Sequence, residues 1–90
     1  MVVEWDAAKA EANASKHGIQ FSDARAVPFD PASIILDEAD VDGEARLVMI
    51  GSDALGRVVV VVLTHRADVV RLISARRATG TERAVYEKGI

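Results

Sequence analysis

The chain has 90 residues, a formal net charge of −3 and no cysteine. This length provides one hydrophobic core, so we expect residues 1–90 to form a single domain. Without cysteine there is no disulfide framework and no thiolate metal site, and the two histidines offer few nitrogen ligands. The sequence therefore predicts no metal and no other cofactor.

The mildly acidic net charge hides an uneven distribution along the chain. Residues 1–45 have a net charge of −7, whereas residues 46–90 have a net charge of +4. The second half is therefore the candidate anion-binding half. A secretion signal begins with basic residues, whereas the start of this chain is acidic. The longest apolar run, Val58–Leu63, is far shorter than the ~20 residues that span a bilayer. We expect a soluble, cytoplasmic protein without a membrane partner.

The first third of the chain predicts a short strand followed by two helices. Val2–Trp5 is typical of a strand, and Asp6 is a natural N-cap for a helix over residues 7–17 that Gly18 ends. We expect Ser22 to cap a second short helix, which reaches about residue 27 and is stopped by the prolines that follow.

The middle of the chain predicts further strands around an acidic segment. Residues 33–36 indicate a strand, and residues 37–44 contain five carboxylates. Their spacing lacks the EF-hand pattern, so we predict a solvated hairpin loop rather than a calcium site. Three strands follow, at residues 46–51, 57–64 and 69–76.

The last segment, from Thr79 to Glu82, matches a capping box and predicts a short C-terminal helix. Short connections make neighbouring strands antiparallel, and residues 58–63 are apolar at every position, which indicates a central strand. The predicted fold is α+β, with the N-terminal helices packed on a mainly antiparallel sheet of about four strands.

A cluster of arginines marks the end of the last predicted strand. Strict alternation places Arg71 and Arg77 on one face of the strand and Arg76 on the other. Guanidinium groups bind phosphate through two donors at once, so a phosphate site is one interpretation, and a solvated strand end is the other. A second polar feature is a stripe along the first helix, formed by Lys9, Asn13, Lys16 and His17. It is either functional or the solvated face of the helix.

Two segments of the chain carry motifs at defined spacings. The first consists of Val3-Glu4-Trp5-Asp6, Lys9-Ala10, Asn13, Lys16-His17-Gly18-Ile19 and Phe21. The second consists of Thr64-x-Arg66, Arg71-x-Ile73-Ser74-Ala75-Arg76-x-Ala78, Glu82-Arg83 and Tyr86. In order and spacing, the two sets together resemble BrnT-type toxins.

The resemblance implies a ribonuclease toxin of a type II toxin–antitoxin system with a RelE-like fold, which inhibits translation and growth. The implied partners are RNA, with messenger RNA on the ribosome as one candidate, and a small DNA-binding antitoxin of the BrnA type. The antitoxin is expected to form a stable complex that hides the basic surface. One position departs from the family pattern, because His65 stands where the family often has Glu.

Metal-independent RNA cleavage requires attack by a 2′-hydroxyl group, stabilisation of phosphoryl charge and a proton for the leaving oxygen. Arginine cannot carry the proton. We therefore assign phosphate stabilisation to Arg66, Arg76 and Arg77. Proton transfer is assigned to His65, His17 or Lys16, and weaker RNA contacts to Arg71 and Arg83. His65 can instead be a strand-end residue without a catalytic role.

An alternative from another class is a non-catalytic interaction domain that binds an antitoxin-like partner through the same arginines, since arginine is enriched in protein interfaces. Direct DNA binding fits poorly, because no predicted helix has the basic face of a recognition helix.

Overall fold

A computed structural model describes residues 1–89, which form five strands, three α-helices and one 3₁₀ helix. In chain order they are β1 Val2–Glu4, α1 Ala7–His17, α2 Phe21–Ala24, the 3₁₀ helix Val27–Phe29, β2 Ile34–Val41, β3 Glu44–Ser52, β4 Val58–Arg66, β5 Val69–Arg77 and α3 Gly80–Lys88. The predicted α+β fold is confirmed. Among these residues no helix is long and apolar enough to cross a membrane.

All five strands belong to one sheet, in the order β1-β5-β4-β3-β2. The strands β2 to β5 are antiparallel neighbours, while β1 pairs with β5 in parallel, from Val2 opposite Val69 to Glu4 opposite Arg71. The prediction of a mainly antiparallel sheet of about four strands is therefore roughly right, because four antiparallel strands are joined by one short parallel strand. The N-terminal strand is three residues long, and only its pairing with β5 places it in this sheet.

The predicted central position of the apolar strand is confirmed, since β4 lies in the middle of the sheet. Val59, Val61 and Leu63 are at most 2% exposed and pack with Phe21 and Val27 from the helical segment. We call this side of the sheet the helix face. Burial of these branched side chains is the main source of stability, because each fully buried one contributes about 1.5–3 kcal/mol.

The opposite side, which we call the arginine face, carries the alternate residues of the same strands. Arg46 on β3, Thr64 on β4 and Arg71 on β5 lie directly opposite one another across the sheet. At the other end of this face, Ile50 and Val60 are buried and α3 packs against β3. Part of the arginine face therefore stays uncovered.

Three predicted helix boundaries are confirmed by their caps. Asp6 Oδ1 accepts a hydrogen bond from Lys9 N at 3.0 Å, and Gly18 ends α1 with a φ of 71°, which glycine adopts without a Cβ clash. At α3, Thr79 Oγ1 accepts from Glu82 N at 3.2 Å while Glu82 Oε1 accepts from Thr79 N at 2.9 Å. The predicted capping box is thus present.

Two local predictions are wrong. Ser22 does not cap the second helix, which begins at Phe21 after Gln20. Pro28 does not stop helical structure, because it lies in the first turn of the following 3₁₀ helix, where its missing N–H group leaves no hydrogen bond unmade. The acidic segment is not a loop, because β2 and β3 extend through it to a turn at Asp42 and Gly43. Both turn residues have positive φ (51° and 81°), as in a type I′ hairpin.

The turn between β3 and β4 is organised by a buried carboxylate. Asp53 is 5% exposed, and its Oδ1 accepts hydrogen bonds from Leu55 N and Arg57 N. Arg57 Nε donates to Asp53 Oδ2 at 2.8 Å, and Arg57 Nη2 lies 3.5 Å from Asp23 Oδ2. Arg57 therefore joins this turn to α2 and has a structural role.

Candidate nucleic-acid interface

Strand β5 carries three of the predicted site residues, Arg71, Arg76 and Arg77, and a β-bulge decides which face each of them occupies. Leu72 lies opposite Leu63, but Ser74 lies opposite Val62, so Ile73 is an extra residue in β5. The bulge breaks the strict alternation that the sequence analysis assumed. Arg71 and Arg76 consequently share the arginine face, and Arg77, opposite Val59, belongs to the helix face. The predicted grouping of Arg71 with Arg77 is wrong for this reason.

Asn13 holds the bulged part of β5 in place. Its buried side chain donates to Ala75 O at 2.9 Å and to Ile19 O at 3.0 Å, and it accepts from Ala75 N at 3.0 Å. Because β1 pairs with β5 only as far as Arg71, the amide of Asn13 takes the place of a neighbouring strand at Ala75. Asn13 is thus a structural member of the polar stripe on α1.

A shallow groove on the arginine face brings two of the predicted RNA-contacting residues together. Arg66 and Arg71 line it with Thr64, and the carboxylates of Glu4 and Glu44 border it. The groove has a volume of ≈ 340 Å³, and both arginine side chains are exposed. Guanidinium groups on adjacent strands can contact the same phosphate or consecutive phosphates. This groove is where two of the predicted arginines lie together.

Arg76 is engaged by α3. Its Nη1 and Nη2 donate to the two carboxylate oxygens of Glu82 at 2.7 and 2.9 Å. The hydrogen bonds from Arg76 lower the pKa of Glu82 to about 2, and the same pair raises the pKa of Arg76. The Arg76 side chain remains 42% exposed, so solvent and ligands can reach it. A phosphate that binds Arg76 must either share the guanidinium group with Glu82 or displace Glu82 from it.

The predicted residues of α1 lie beside the free edge of β5. Lys16 and His17 line a second shallow concavity, of ≈ 290 Å³, together with Ile73 and Ser74 of the bulge. Ser74 is two residues from Arg76 along β5, and Arg71 lies on the other side of the bulge. The edge of β5 therefore connects the Lys16–His17 concavity with the arginines.

The remaining candidates are separated from these two concavities. Consecutive residues of β4 point to opposite faces, and Arg66 points to the arginine face. His65 therefore points to the helix face, where it lies opposite Val70. Arg77 is exposed on the helix face. Arg83 donates from Nε to Glu87 Oε1 at 2.8 Å within α3. The structure does not bring these three residues into the groove with Arg66 and Arg71.

Sequence reasoning missed several residues of the interface: Glu4, Glu44, Arg46 and Thr64. The alternation of Arg46 with apolar neighbours was a usable signal for its exposure. The two glutamates could not be found from sequence, because their position depends on which strands pair. Across residues 1–89, no group of three or more His, Asp and Glu residues could hold a metal ion.

Comparison with known proteins identifies relatives of the chain. A family model described as "Ribonuclease toxin, BrnT, of type II toxin-antitoxin system" matches residues 5–82. Among solved structures, the fold is similar to the crystal structure of the Brucella abortus ribonuclease toxin BrnT, with a TM-score of 0.67 and 24% sequence identity over 88% of this chain and 97% of that chain. No curated protein matches the sequence.

Proposed function

Because the chain belongs to the BrnT family of ribonuclease toxins, we propose that it cleaves RNA on the arginine face of its sheet. The resemblance that the sequence motifs indicated is thus confirmed at the level of the family. The observation that supports this location is the groove in which Arg66 and Arg71 lie together. Arg46, on the same face opposite Thr64, extends the basic surface by one strand.

In the proposed mechanism, the ribose 2′-oxygen attacks the adjacent phosphorus, and the bond from phosphorus to the 5′-oxygen breaks. Arg66 and Arg71 neutralise the charge that develops on the phosphoryl oxygens. Arg76 contributes a third cation when an RNA phosphate competes with Glu82. No step requires a metal ion, because arginine side chains supply the positive charge.

The proton transfers are assigned to two carboxylates of the groove and to two groups at the edge of β5. Glu4 and Glu44 lie in the groove itself, where a carboxylate can accept the 2′-hydroxyl proton. Lys16 and His17 at the edge of β5 are candidates for protonating the leaving oxygen. His65 remains a sequence-based candidate on the opposite face, and Arg77 and Arg83 are at most peripheral RNA contacts.

The biological role proposed is that of a growth-inhibiting toxin held inactive by an antitoxin until it is released. Type II systems, to which the family belongs, pair the toxin with a protein antitoxin. A small DNA-binding antitoxin of the BrnA type is the expected partner, and messenger RNA is the expected substrate.

The test is RNA cleavage by the purified chain in excess EDTA. We expect the wild type to cut RNA with chelator present, and Arg71→Ala to lower the rate roughly a hundredfold, as loss of one charge-stabilising donor does. Arg25→Ala is the control, because Arg25 is an exposed arginine just after α2 that does not line the groove of Arg66 and Arg71. It should cleave RNA at the wild-type rate.

Cleavage that stops in EDTA and returns with Mg²⁺ would contradict the metal-independent mechanism. Equal losses in Arg71→Ala and Arg25→Ala would show a nonspecific charge effect and remove the groove from the mechanism. A chain that binds its antitoxin but neither cuts RNA nor arrests growth would support the non-catalytic interaction domain instead.

A further inference from the structure

The helix face of the sheet has an uncovered apolar groove beyond the 3₁₀ helix. Phe29 and Met1 form its sides and are 54% and 68% exposed, while Leu47, Met49 and Leu63 form its floor. The groove has a volume of ≈ 240 Å³ and continues the hydrophobic core to the surface. Large apolar side chains grouped in this way on a small protein mark an interaction surface more often than scattered ones do.

The neighbouring strand gives this groove an acidic border. On β2, Glu38 lies opposite Leu47 and Asp40 lies opposite Ala45, so both acids share the helix face with the groove. Residues 37–44 contain five acidic residues and no lysine or arginine. A ligand that covers the groove therefore meets apolar side chains at the centre and negative charge along one side.

These charges discriminate between possible occupants. RNA is excluded by repulsion, and a second copy of the chain would place its own acidic strand against Glu38 and Asp40. The outer edge of β2 is unsuited to binding a further strand. Its register is irregular between Ile35 and Asp37, and it carries acidic side chains, and both features protect sheet edges from pairing. An amphipathic helix with basic flanks satisfies both the apolar floor and the acidic border.

We propose that this groove is the docking site for the antitoxin, through an amphipathic helix that places apolar side chains between Phe29 and Leu47 and basic side chains against Glu38 and Asp40. The inference rests on the proposed function, since it takes the partner from the toxin–antitoxin assignment. It also changes one expectation. The sequence predicted a partner that hides the basic surface, whereas this docking site lies on the other face of the sheet from Arg66 and Arg71.

The test uses calorimetry to measure how a purified antitoxin of the BrnA type binds to variants of the full chain. We expect Phe29→Asp to weaken binding at least tenfold, and the double variant Glu38→Lys with Asp40→Lys to weaken it to a similar extent. Both variants should keep the wild-type circular dichroism spectrum and the wild-type rate of RNA cleavage in the absence of antitoxin.

Matched controls separate docking from general surface effects. Leu55→Asp alters another exposed apolar residue, 66% exposed in the turn after β3, and Glu11→Lys reverses an exposed acid on α1. Both controls should bind antitoxin with wild-type affinity. Arg71→Ala should also bind normally while losing RNA cleavage.

Retained affinity in Phe29→Asp and in the double variant would overturn the proposal, as would the absence of any complex with the antitoxin. A wild-type dimer that Phe29→Asp dissociates, with antitoxin binding unchanged, would identify a second copy as the occupant. The two proposals fail separately. If the wild type never cuts RNA but the groove variants lose antitoxin binding, the docking site is retained and the enzyme is rejected. If the wild type cuts RNA but the groove variants still bind antitoxin, the enzyme is retained and the docking site is rejected.

Discussion

Individual arginines in this protein have three different surroundings. Arg57 is held by Asp53 and Asp23 and serves the turn before β4. Arg76 is paired with Glu82, and Arg71 lies in an open groove. Removing Arg57 would leave the buried carboxylate of Asp53 without its cation and weaken the fold. Arg57 is therefore unsuitable as a control for lost positive charge, and Arg25 serves better.

Arg76 provides the sharpest test at the scale of single residues. We expect Arg76→Ala to lower RNA cleavage about a hundredfold while costing only about 1 kcal/mol of stability, since its ion pair is partly exposed. Arg76→Lys should restore part of the rate, because an ammonium group retains the charge but loses the two-pronged geometry. Single-turnover cleavage and urea unfolding measure the two effects.

Glu82→Gln distinguishes a direct role of Arg76 from a structural one. If Arg76 binds phosphate, weakening its pair with Glu82 should preserve or raise the cleavage rate. If Arg76 only holds α3, Glu82→Gln should lower cleavage as much as Arg76→Ala does. That second result, with both variants folded, would remove Arg76 from the proposed site.

At the scale of secondary-structure elements, the interface depends on how α1 and β5 are joined. Asn13 hydrogen-bonds the backbone of Ala75 on the side of β5 where β1 no longer pairs, close to the bulge at Ile73. The bulge brings Arg71 and Arg76 to one face, and the end of α1 places Lys16 at the edge of the same strand. A single buried amide thus supports the bulged part of β5 and the concavity beside it.

Asn13→Ala should destabilise the protein by about 2–4 kcal/mol, because it removes three hydrogen bonds and leaves the N–H and C=O groups of Ala75 without this partner. Urea unfolding followed by circular dichroism measures the change. Ser15→Ala, at an exposed position of the same helix, should change stability by less than about 0.5 kcal/mol. A loss below about 0.5 kcal/mol in Asn13→Ala would mean that the amide is dispensable.

At the scale of the whole molecule, folding separates charge by surface. Four of the five acids of residues 37–44 lie on the edge strand β2 and its hairpin turn, whereas Arg46, Arg66 and Arg71 share the arginine face, where the fifth acid, Glu44, borders their groove. The second half of the chain was predicted to bind anions, and its uncovered arginines have the placement this requires. A net charge of −3 therefore coexists with a local basic surface.

Two carboxylates that join different secondary-structure elements make stability depend on pH. The Arg76 guanidinium lowers the pKa of Glu82 from 4.5 to about 2. Burial by itself raises the pKa of Asp30. Hydrogen bonds donated by Tyr86 Oη, Ser52 N and Ala32 N outweigh the effect of burial, so the pKa of Asp30 lies below its usual value. A group whose pKa is lower in the folded state stabilises the fold above its unfolded pKa and loses this contribution as pH falls.

We therefore expect the free energy of unfolding to decrease as pH falls from about 4.5 to about 2, with Glu82 contributing roughly 1 kcal/mol because its pair is partly exposed. Urea unfolding at a series of pH values measures the slope. Glu82→Gln should show a shallower decrease, while Glu87→Gln, on the exposed side of α3, should follow the wild type. Parallel wild-type and Glu82→Gln profiles would contradict this account.

The sequence by itself determined the features that depend on near neighbours along the chain. Asp6 and Gly18 delimit α1, and Thr79 with Glu82 begins α3, because a cap is formed by residues within one helical turn. The apolar run 58–63 identified the central strand, since a strand that is apolar on both faces is covered on both sides when it lies in the middle of the sheet. Motif order and spacing were sufficient to indicate the family.

Tertiary structure alone decided which residues share a surface. One extra residue at Ile73 reverses the side to which the end of β5 points, and this bulge exists only in the pairing with β4. The pairing of β1 with β5 puts Glu4 beside Arg71, and α1 supplies the side chain of Asn13 from 62 residues away. Such contacts arise from strand register and packing between distant segments, which local patterns in a sequence do not encode.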